Sequence, residues 1–387
     1  MKNFSYFLLT AIIYTLSGGC ANEGAAIRVE TYNGEDLYIC DYSKLGNDTI
    51  SLKLSDLVSS LEVIKLDTAS NALITGGKVI LSENYLLLGP DWQGIYKLFG
   101  RKGNFLCDVG TYGRGPEEYM QIADAQLDEG NNRIYLLPYE ARKLLVYNLQ
   151  GKFVNSVPLA VFLTGCRMKV ENDKVSLLTT PLNVPIVAYQ QDMKGNLLDS
   201  VSARPYAVNR GMMGDINFSF NREFLSFHTG HWEEEETKQD SLYHYIPGKN
   251  RLTPKFTVNY EGMKTIPQHI YYEFGDYFRF DIYRVKTVHK ETGIYSSRIQ
   301  EKCILVDKKN RKAGIFKMKD DLLGEISWGN FSDGYYTENL GPAVLKAKLE
   351  NLNKKEGLSG ETRKRMDDLL NTIQENDNNY IVIGKMK

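Results

Sequence analysis

A short unit recurs along the first half of this chain: a strand rich in aromatic and β-branched residues, a glycine turn, and a second strand. Tyr96–Phe105 (YKLFGRKGNF) is echoed by Tyr147–Phe153 (YNLQGKF) and by Tyr189–Leu197 (YQQDMKGNL). The turn glycines are Gly103, Gly151 and Gly195, spaced by 48 and 44 residues. Weaker echoes follow at Tyr243–Arg251 (YHYIPGKNR) and Ile304–Lys312 (ILVDKKNRK). Between Ile95 and Val154 short strands alternate with turns of Gly, Asn, Asp and Lys, as in an antiparallel meander. The strands there are read at Ile95–Phe99, Phe105–Val109, Arg133–Leu137, Leu144–Asn148 and Phe153–Val154, with Gly110–Asn132 read as loop. A period of about 40–50 residues built from short strands is that of a β-propeller blade. One all-β repeat array can then use the whole of a 387-residue chain that length alone would divide into two or three domains.

Composition narrows the function classes. The formal net charge is −1, so no strongly basic face is implied and nucleic acid is not an expected partner. The 25 Tyr and 16 Phe suit half-buried, pleated strand surfaces. Residues 1–19 read as a leader: Lys2 supplies the positive start, and Phe7–Leu16 is an apolar run too short to span a bilayer. Leu16-Ser17-Gly18-Gly19-Cys20 places small residues directly before a cysteine. This resembles a bacterial lipobox, which implies cleavage before Cys20 and lipid attachment to its sulfur. Ser17 departs from the usual pattern, and the alternative is an ordinary signal peptide with a chance cysteine. Cys40, Cys107, Cys166 and Cys303 are far apart and sit in or beside apolar runs, where a small buried hydrophobe is the default.

Residues 20–48 read as a mature N-terminal tail with one strand at Asp36–Cys40, and residues 49–387 as the repeat array. Further strands are expected at Lys78–Leu81 and Tyr85–Leu88, at Met168–Val170 and Val175–Thr179, and at Ile186–Gln190 and Leu197–Val201. The opening LSDLVSSLEVIKLD (Leu54–Asp67), the turn GTYGRGPEEY (Gly110–Tyr119), IYLLPYEARKLLVYNLQGKF (Ile134–Phe153) and the closing YIVIGKMK (Tyr380–Lys387) are together similar to a family of six-bladed β-propeller lipoproteins abundant in Bacteroidota. The pattern also resembles NHL-type propellers. The resemblance covers nearly the whole chain and implies six four-stranded antiparallel blades and an extracytoplasmic, lipid-tethered address, facing the periplasm or the cell surface. It implies no activity. Six blades of about 50 residues also fit the length, with seven as the alternative.

The turn Gly113–Tyr119 is the first candidate site. Gly113 and Gly115 permit unusual backbone angles and Pro116 fixes one, giving a tightly shaped connection with Tyr119 packed beneath it. Arg114, Glu117, Glu118 and Tyr119 would then line a mouth of the propeller channel and bind a polar ligand; the alternative is an inter-blade turn whose arginine satisfies carbonyls. In His228–Glu236 (HTGHWEEEE) the two histidines are three apart, which on a strand places them on opposite faces, so no metal site is assigned. Tyr271, Tyr272, Phe274 and Tyr277 form an aromatic run that suits either core packing or stacking on a sugar or peptide. Gly-x-Ser-x-Gly, Walker and His-Glu-x-x-His motifs are absent, and no catalytic residue or cofactor is assigned.

Near the C-terminus the period changes to helical. Pro342 can start a helix carrying apolar residues at 345, 349 and 352, and Ser359 can cap a second, Glu361–Glu375, with Met366, Leu369, Leu370 and Ile373 on one face. A helical hairpin at 341–376 inserted in the last blade is expected, its stripe packing on the propeller or, alternatively, docking a partner, followed by a closing strand at 379–387. The function expected is a non-catalytic binding or scaffolding module for a glycan, a peptide or an envelope protein. The competing expectation is a lactonase-, lyase- or hydrolase-like propeller with a metal in its channel.

Overall fold

The structure is a computed structural model that describes residues 25–179, 181, 184–206, 225–227, 240–264, 266–290, 293–319, 321–322, 330–354 and 360–387. Six sheets form the blades of a propeller. Blade 1 holds Val79–Leu81, Tyr85–Leu88, Tyr96–Gly100 and Phe105–Val109. Blade 2 holds Ile122–Asp128, Arg133–Pro138, Glu140–Tyr147 and Phe153–Thr164, and blade 3 holds Arg167–Glu171, Lys174–Leu178, Ile186–Asp192 and Leu197–Ser202. Each runs as a four-stranded antiparallel meander from the channel outward.

The N-terminal strands extend the other three blades, so that blades 4 and 5 hold five strands each and blade 6 four. Blade 4 (Leu225–Phe227, Leu242–Tyr245, Leu252–Asn259) gains Glu35–Asp41, which pairs in parallel with Leu252–Asn259, and then Ile27–Tyr32 beyond it. The residues read as a tail with one strand therefore form a hairpin on the rim of blade 4. Blade 5 (Gln268–Phe274, Tyr277–Lys290, Gly293–Asp307, Lys312–Lys319) gains Thr49–Lys53, again in parallel. Blade 6 (Asn330–Ser332, Tyr335–Leu340, Tyr380–Met386) is closed by Val58–Lys65, antiparallel to Tyr380–Met386. A strand from the N-terminal quarter of the chain and its last strand thus share one sheet. Asn378 stitches the closure: its amide donates to the carbonyls of Asp67 (2.8 Å) and Ala72 (2.9 Å).

The repeat glycines have a shared job. Gly151 has φ +73°, and a Cβ there would lie 1.9 Å from the carbonyl oxygen of Asp108 on the outer strand of blade 1. Gly103 (φ +90°) meets Lys65 of blade 6 in the same way at 2.1 Å. Each turn presses its bare α-carbon on the preceding blade, and hydrogen bonds tie the contact: Gly110 N to Gly151 O, and Asp67 N to Gly103 O, both 2.9 Å. Only glycine combines that angle with that approach.

Among the described residues six apolar clusters lie one between each pair of neighbouring blades, so the core is a ring rather than a ball. Two helices near the C-terminus, Pro342–Asn353 and Gly360–Thr372, lay Leu345, Leu349, Leu352 and Met366 into the cluster between blades 5 and 6. Beneath the first helix the ammonium of Lys348 is buried against Glu338, 2.9 Å away, and Glu338 also accepts the hydroxyl of Tyr336. No helix of the described residues is long and apolar enough to cross a membrane.

Candidate functional site

The connection from the outer strand of blade 1 to the inner strand of blade 2 carries the Gly113–Tyr119 turn. Tyr119 is only 3% exposed, and its ring lies edge-on between Tyr96 and Tyr147. Its hydroxyl donates to Val109 O (2.6 Å) and accepts from Tyr96 N (2.9 Å). Burial holds this phenol well above the ordinary tyrosine range. Tyr119 is therefore the pillar under the turn. The Glu118 carboxylate folds back to accept Gly115 N at 2.8 Å, and a Cβ on Gly113 would overlap that carboxylate. Tyr147 donates to the Glu117 carbonyl (2.7 Å), and Lys143 donates to that of Pro116. Arg114 and Glu117 remain exposed, with Arg114 Nε 3.3 Å from Met120 Sδ. Arg114 and Glu118 border a groove of about 860 Å³ whose far wall carries Arg142 and Phe162, the guanidinium 4.7 Å above the ring. Glu117 is not part of that wall.

The groove adjoins a smaller pocket of about 350 Å³, where blades 1, 2 and 3 meet at the channel mouth. Its floor is a charged tie across three inner strands. Asp124 of blade 2 is buried, takes the Lys78 ammonium of blade 1, and accepts Met168 N of blade 3 at 3.0 Å. Arg167 of blade 3 reaches back to the Ala123 carbonyl, 3.9 Å from the same carboxylate. One strand turn further along the channel, Gln126 pairs with both the N–H (2.8 Å) and the C=O (2.7 Å) of Val170. These contacts lock the three blades in register.

Above the floor stand Trp92, 66% exposed, and Tyr139, 40% exposed, their ring centroids 6.4 Å apart. The loops that carry them are fixed by backbone. Tyr139 N donates to Gln121 O, and Gly165 N donates to Tyr139 O, both 3.0 Å. Gly89 N donates to Lys78 O at 2.9 Å, and Gly77 has no room for a Cβ because the Gly89 carbonyl fills it. Phe162 (46%) lines the adjoining groove with Tyr139 and Gln93, and the Tyr112 (45%) hydroxyl donates to the Gln93 side chain at 3.2 Å. Of the five exposed aromatic side chains among the described residues, four belong to this face and only Tyr32 lies elsewhere.

Sequence reasoning found the turn but not the pocket. Trp92 sits in Gly89-Pro90-Asp91-Trp92-Gln93-Gly94, a run of turn formers with no strand to carry an indole inward, and that was the available signal. The aromatic run it did single out is mainly core. Tyr271 is fully buried, and Phe274 stacks on Phe331 at 5.0 Å between blades 5 and 6. Tyr272 lies under the Arg279 guanidinium. Nearby, His244 Nε2 sits 2.6 Å from Glu273, whose other oxygen is 2.6 Å from Lys308, and His269 pairs with Asp240 at 2.9 Å. Cys20 and His228–Glu236 lie outside the described residues. Cys40, Cys107, Cys166 and Cys303 are separate free thiols, and burial pushes Cys166 and Cys303 up to about 12, away from nucleophilic use at neutral pH. Among the described residues no three His, Cys, Asp or Glu side chains are grouped to hold a metal.

No curated protein matches this chain. Among solved structures it is similar to a protein of Bacteroides fragilis described as exported, at 15% identity and a TM-score of 0.56, over 88% of this chain and 100% of that one. A member of the DUF4221 family from Bacteroides vulgatus matches at 11% identity and a TM-score of 0.41, over 86% and 97%. The first likeness is one of fold, and it agrees with the six-bladed ring. The pattern of a domain of unknown function, DUF4934, matches residues 38–385, nearly the whole array, and this chain belongs to that family.

Proposed function

We propose that this chain is an extracytoplasmic lipoprotein whose NHL-like propeller is a non-catalytic binding module for a glycan, a peptide or an envelope protein, with its ligand face on blades 1 and 2. The observation that carries this is the gathering of Trp92, Tyr112, Tyr139 and Phe162 on one face, held by hydrogen-bonded loops. Exposed aromatics normally lie scattered, and a cluster rimmed by polar groups marks a contact surface. Arg114 and Glu118 extend that surface along the adjoining groove.

The tether suits this reading. Ile27–Tyr32 is the outermost strand of blade 4, which lies across the six-membered ring from blade 1. A lipid on Cys20 is separated from Ala25 by a linker spanning at most about 18 Å. The anchor then holds the rim of blade 4 near the bilayer, with blade 1 on the opposite side of the ring.

Membrane fractionation tests the tether: Cys20→Ala is expected to leave the membrane fraction, and retention after a salt wash would place the anchor elsewhere. Purification of the native lipoprotein from detergent-solubilised membranes tests the binding. A ligand retained by the wild-type chain and lost from Trp92→Ala is the expected result. Equal retention by both would move the ligand face off blades 1 and 2.

A further inference from the structure

We infer that the pocket beneath Trp92 and Tyr139 is a binding site for a neutral glycan, taking one sugar unit of a longer chain at the channel mouth. This rests on the reading of blades 1 and 2 as the ligand face and names the chemistry of its ligand.

Three features select a sugar. Two tilted aromatic rings 6.4 Å apart present flat apolar faces, which match the C–H faces of pyranose rings. The wall and floor carry polar groups of both kinds, Lys78 and Arg167 as donors, Asp91 as acceptor and Gln121 as both, which matches hydroxyls that each donate and accept. Lys78 and Arg167 are matched by the carboxylates of Asp124 and Asp91, two charges of each sign, so the pocket offers no strong net field to draw a polyanion. The same floor disfavours an apolar peptide anchor, because a Leu or Phe side chain placed there would strip water from charged groups without replacing it. The pocket opens sideways into the groove of Arg114, Arg142 and Phe162, which gives the neighbouring sugar units a path across the face.

The site is also built in advance. Tyr139 is held through its backbone on both sides, and the Trp92 loop is pinned at Gly89, so ligand binding orders little that is not already ordered.

The experiment uses the full-length lipoprotein in detergent micelles, run through native gels containing α-mannan, xyloglucan, galactomannan or amylopectin. Retardation by at least one polysaccharide is expected, together with quenching of tryptophan fluorescence. Trp92→Ala and Tyr139→Ala should each weaken that retardation at least tenfold with no change in melting temperature, and Trp92→Phe should restore most of it. Retardation that survives both alanine variants overturns the site. Absence of retardation by all four polysaccharides overturns the ligand class, and a peptide array that then binds the wild-type chain but not Trp92→Ala would leave the binding function standing with a different ligand.

Discussion

The seam between blades 4 and 5 and the face of blades 1 and 2 are both rich in aromatic and charged side chains, yet they have opposite fates. At the seam, Tyr271, Phe278 and Phe280 are buried, and Phe256 stacks on Phe278 at 4.7 Å. The charges are sealed in with them: His244, Glu273 and Lys308 form one chain of contacts, His269 and Asp240 another. On blades 1 and 2 the rings of Trp92, Tyr112, Tyr139 and Phe162 are exposed above a tied, charged floor. The same residue types therefore serve stability where neighbours saturate them and, in the proposed function, recognition where the loops hold them open. Composition cannot separate the two cases, but burial can.

The largest effect is expected from breaking the seam. Glu273→Ala leaves His244 and Lys308 without their shared carboxylate, and removing one member of a buried charged pair costs about 3–5 kcal/mol. Urea unfolding should show that loss while ligand retention at folded temperatures is unchanged. A cost below about 1 kcal/mol would mean that the network contributes little.

Next comes the glycine that presses blade 2 on blade 1. Gly151→Ala meets both a left-handed backbone and the Asp108 carbonyl, and a loss of about 2 kcal/mol or more is expected. Gly248→Ala shares the positive φ of +81° but faces open space, so it should cost about 1 kcal/mol. Equal costs for the two variants would show that the inter-blade contact is not what requires glycine.

Acid should loosen the seam. Burial alone would raise the Glu273 carboxyl, but the hydrogen bond from His244 and the charges of His244 and Lys308 outweigh it and hold it below its usual 4.5. A carboxyl lowered on folding stabilises fully above its unfolded pKa, and that contribution is lost as the pH falls through the folded value. Thermal melts should therefore decline below about pH 4.5, with a shallower decline in Glu273→Gln. Identical acid limbs would assign the decline to other carboxylates.

The smallest stability effects belong to the open face. Trp92→Ala and Arg114→Ala with Glu117→Ala should each stay within about 0.5 kcal/mol of wild type. Binding should separate them, with Trp92→Ala losing the most and the arginine–glutamate pair a few-fold at most. If the pair changes nothing, Gly113–Tyr119 is an inter-blade connection only.

Much of the fold was legible because the repeat has a mechanical origin. Gly103, Gly151 and Gly195 recur since each C-terminal turn of blades 1 to 3 rests on the blade before it, and a Cβ on Gly195 would lie 3.0 Å from the Pro158 carbonyl oxygen. The echo fades at Gly248, where the backbone N–H instead meets the Asp199 side chain at 2.6 Å and no close approach demands a glycine. The inner strand Ile122–Asp128 was hidden for a different reason. Asp124 and Gln126 on it reach across to the next blade, and the apolar side that alternates with them is only Ala123, Ala125 and Leu127; Ala and Asp are poor strand formers, so the stretch reads as loop. The N-terminal hairpin was hidden because its partner strand, Leu252–Asn259, lies more than 200 residues away. The pillar role of Tyr119 was legible from its place after Gly-Arg-Gly-Pro. Trp92 and Tyr139 come from loops about 45 residues apart, and only the closed ring makes them neighbours.

Hydrogen–deuterium exchange of the full-length protein, with and without a polysaccharide that retards it, tests the central claim most directly. Slower exchange is predicted in the loops at 89–94, 112–121 and 138–143, with no change across 240–274. Protection confined to the seam of blades 4 and 5, with the loops of blades 1 and 2 unchanged, would contradict the assignment of this face as the binding surface.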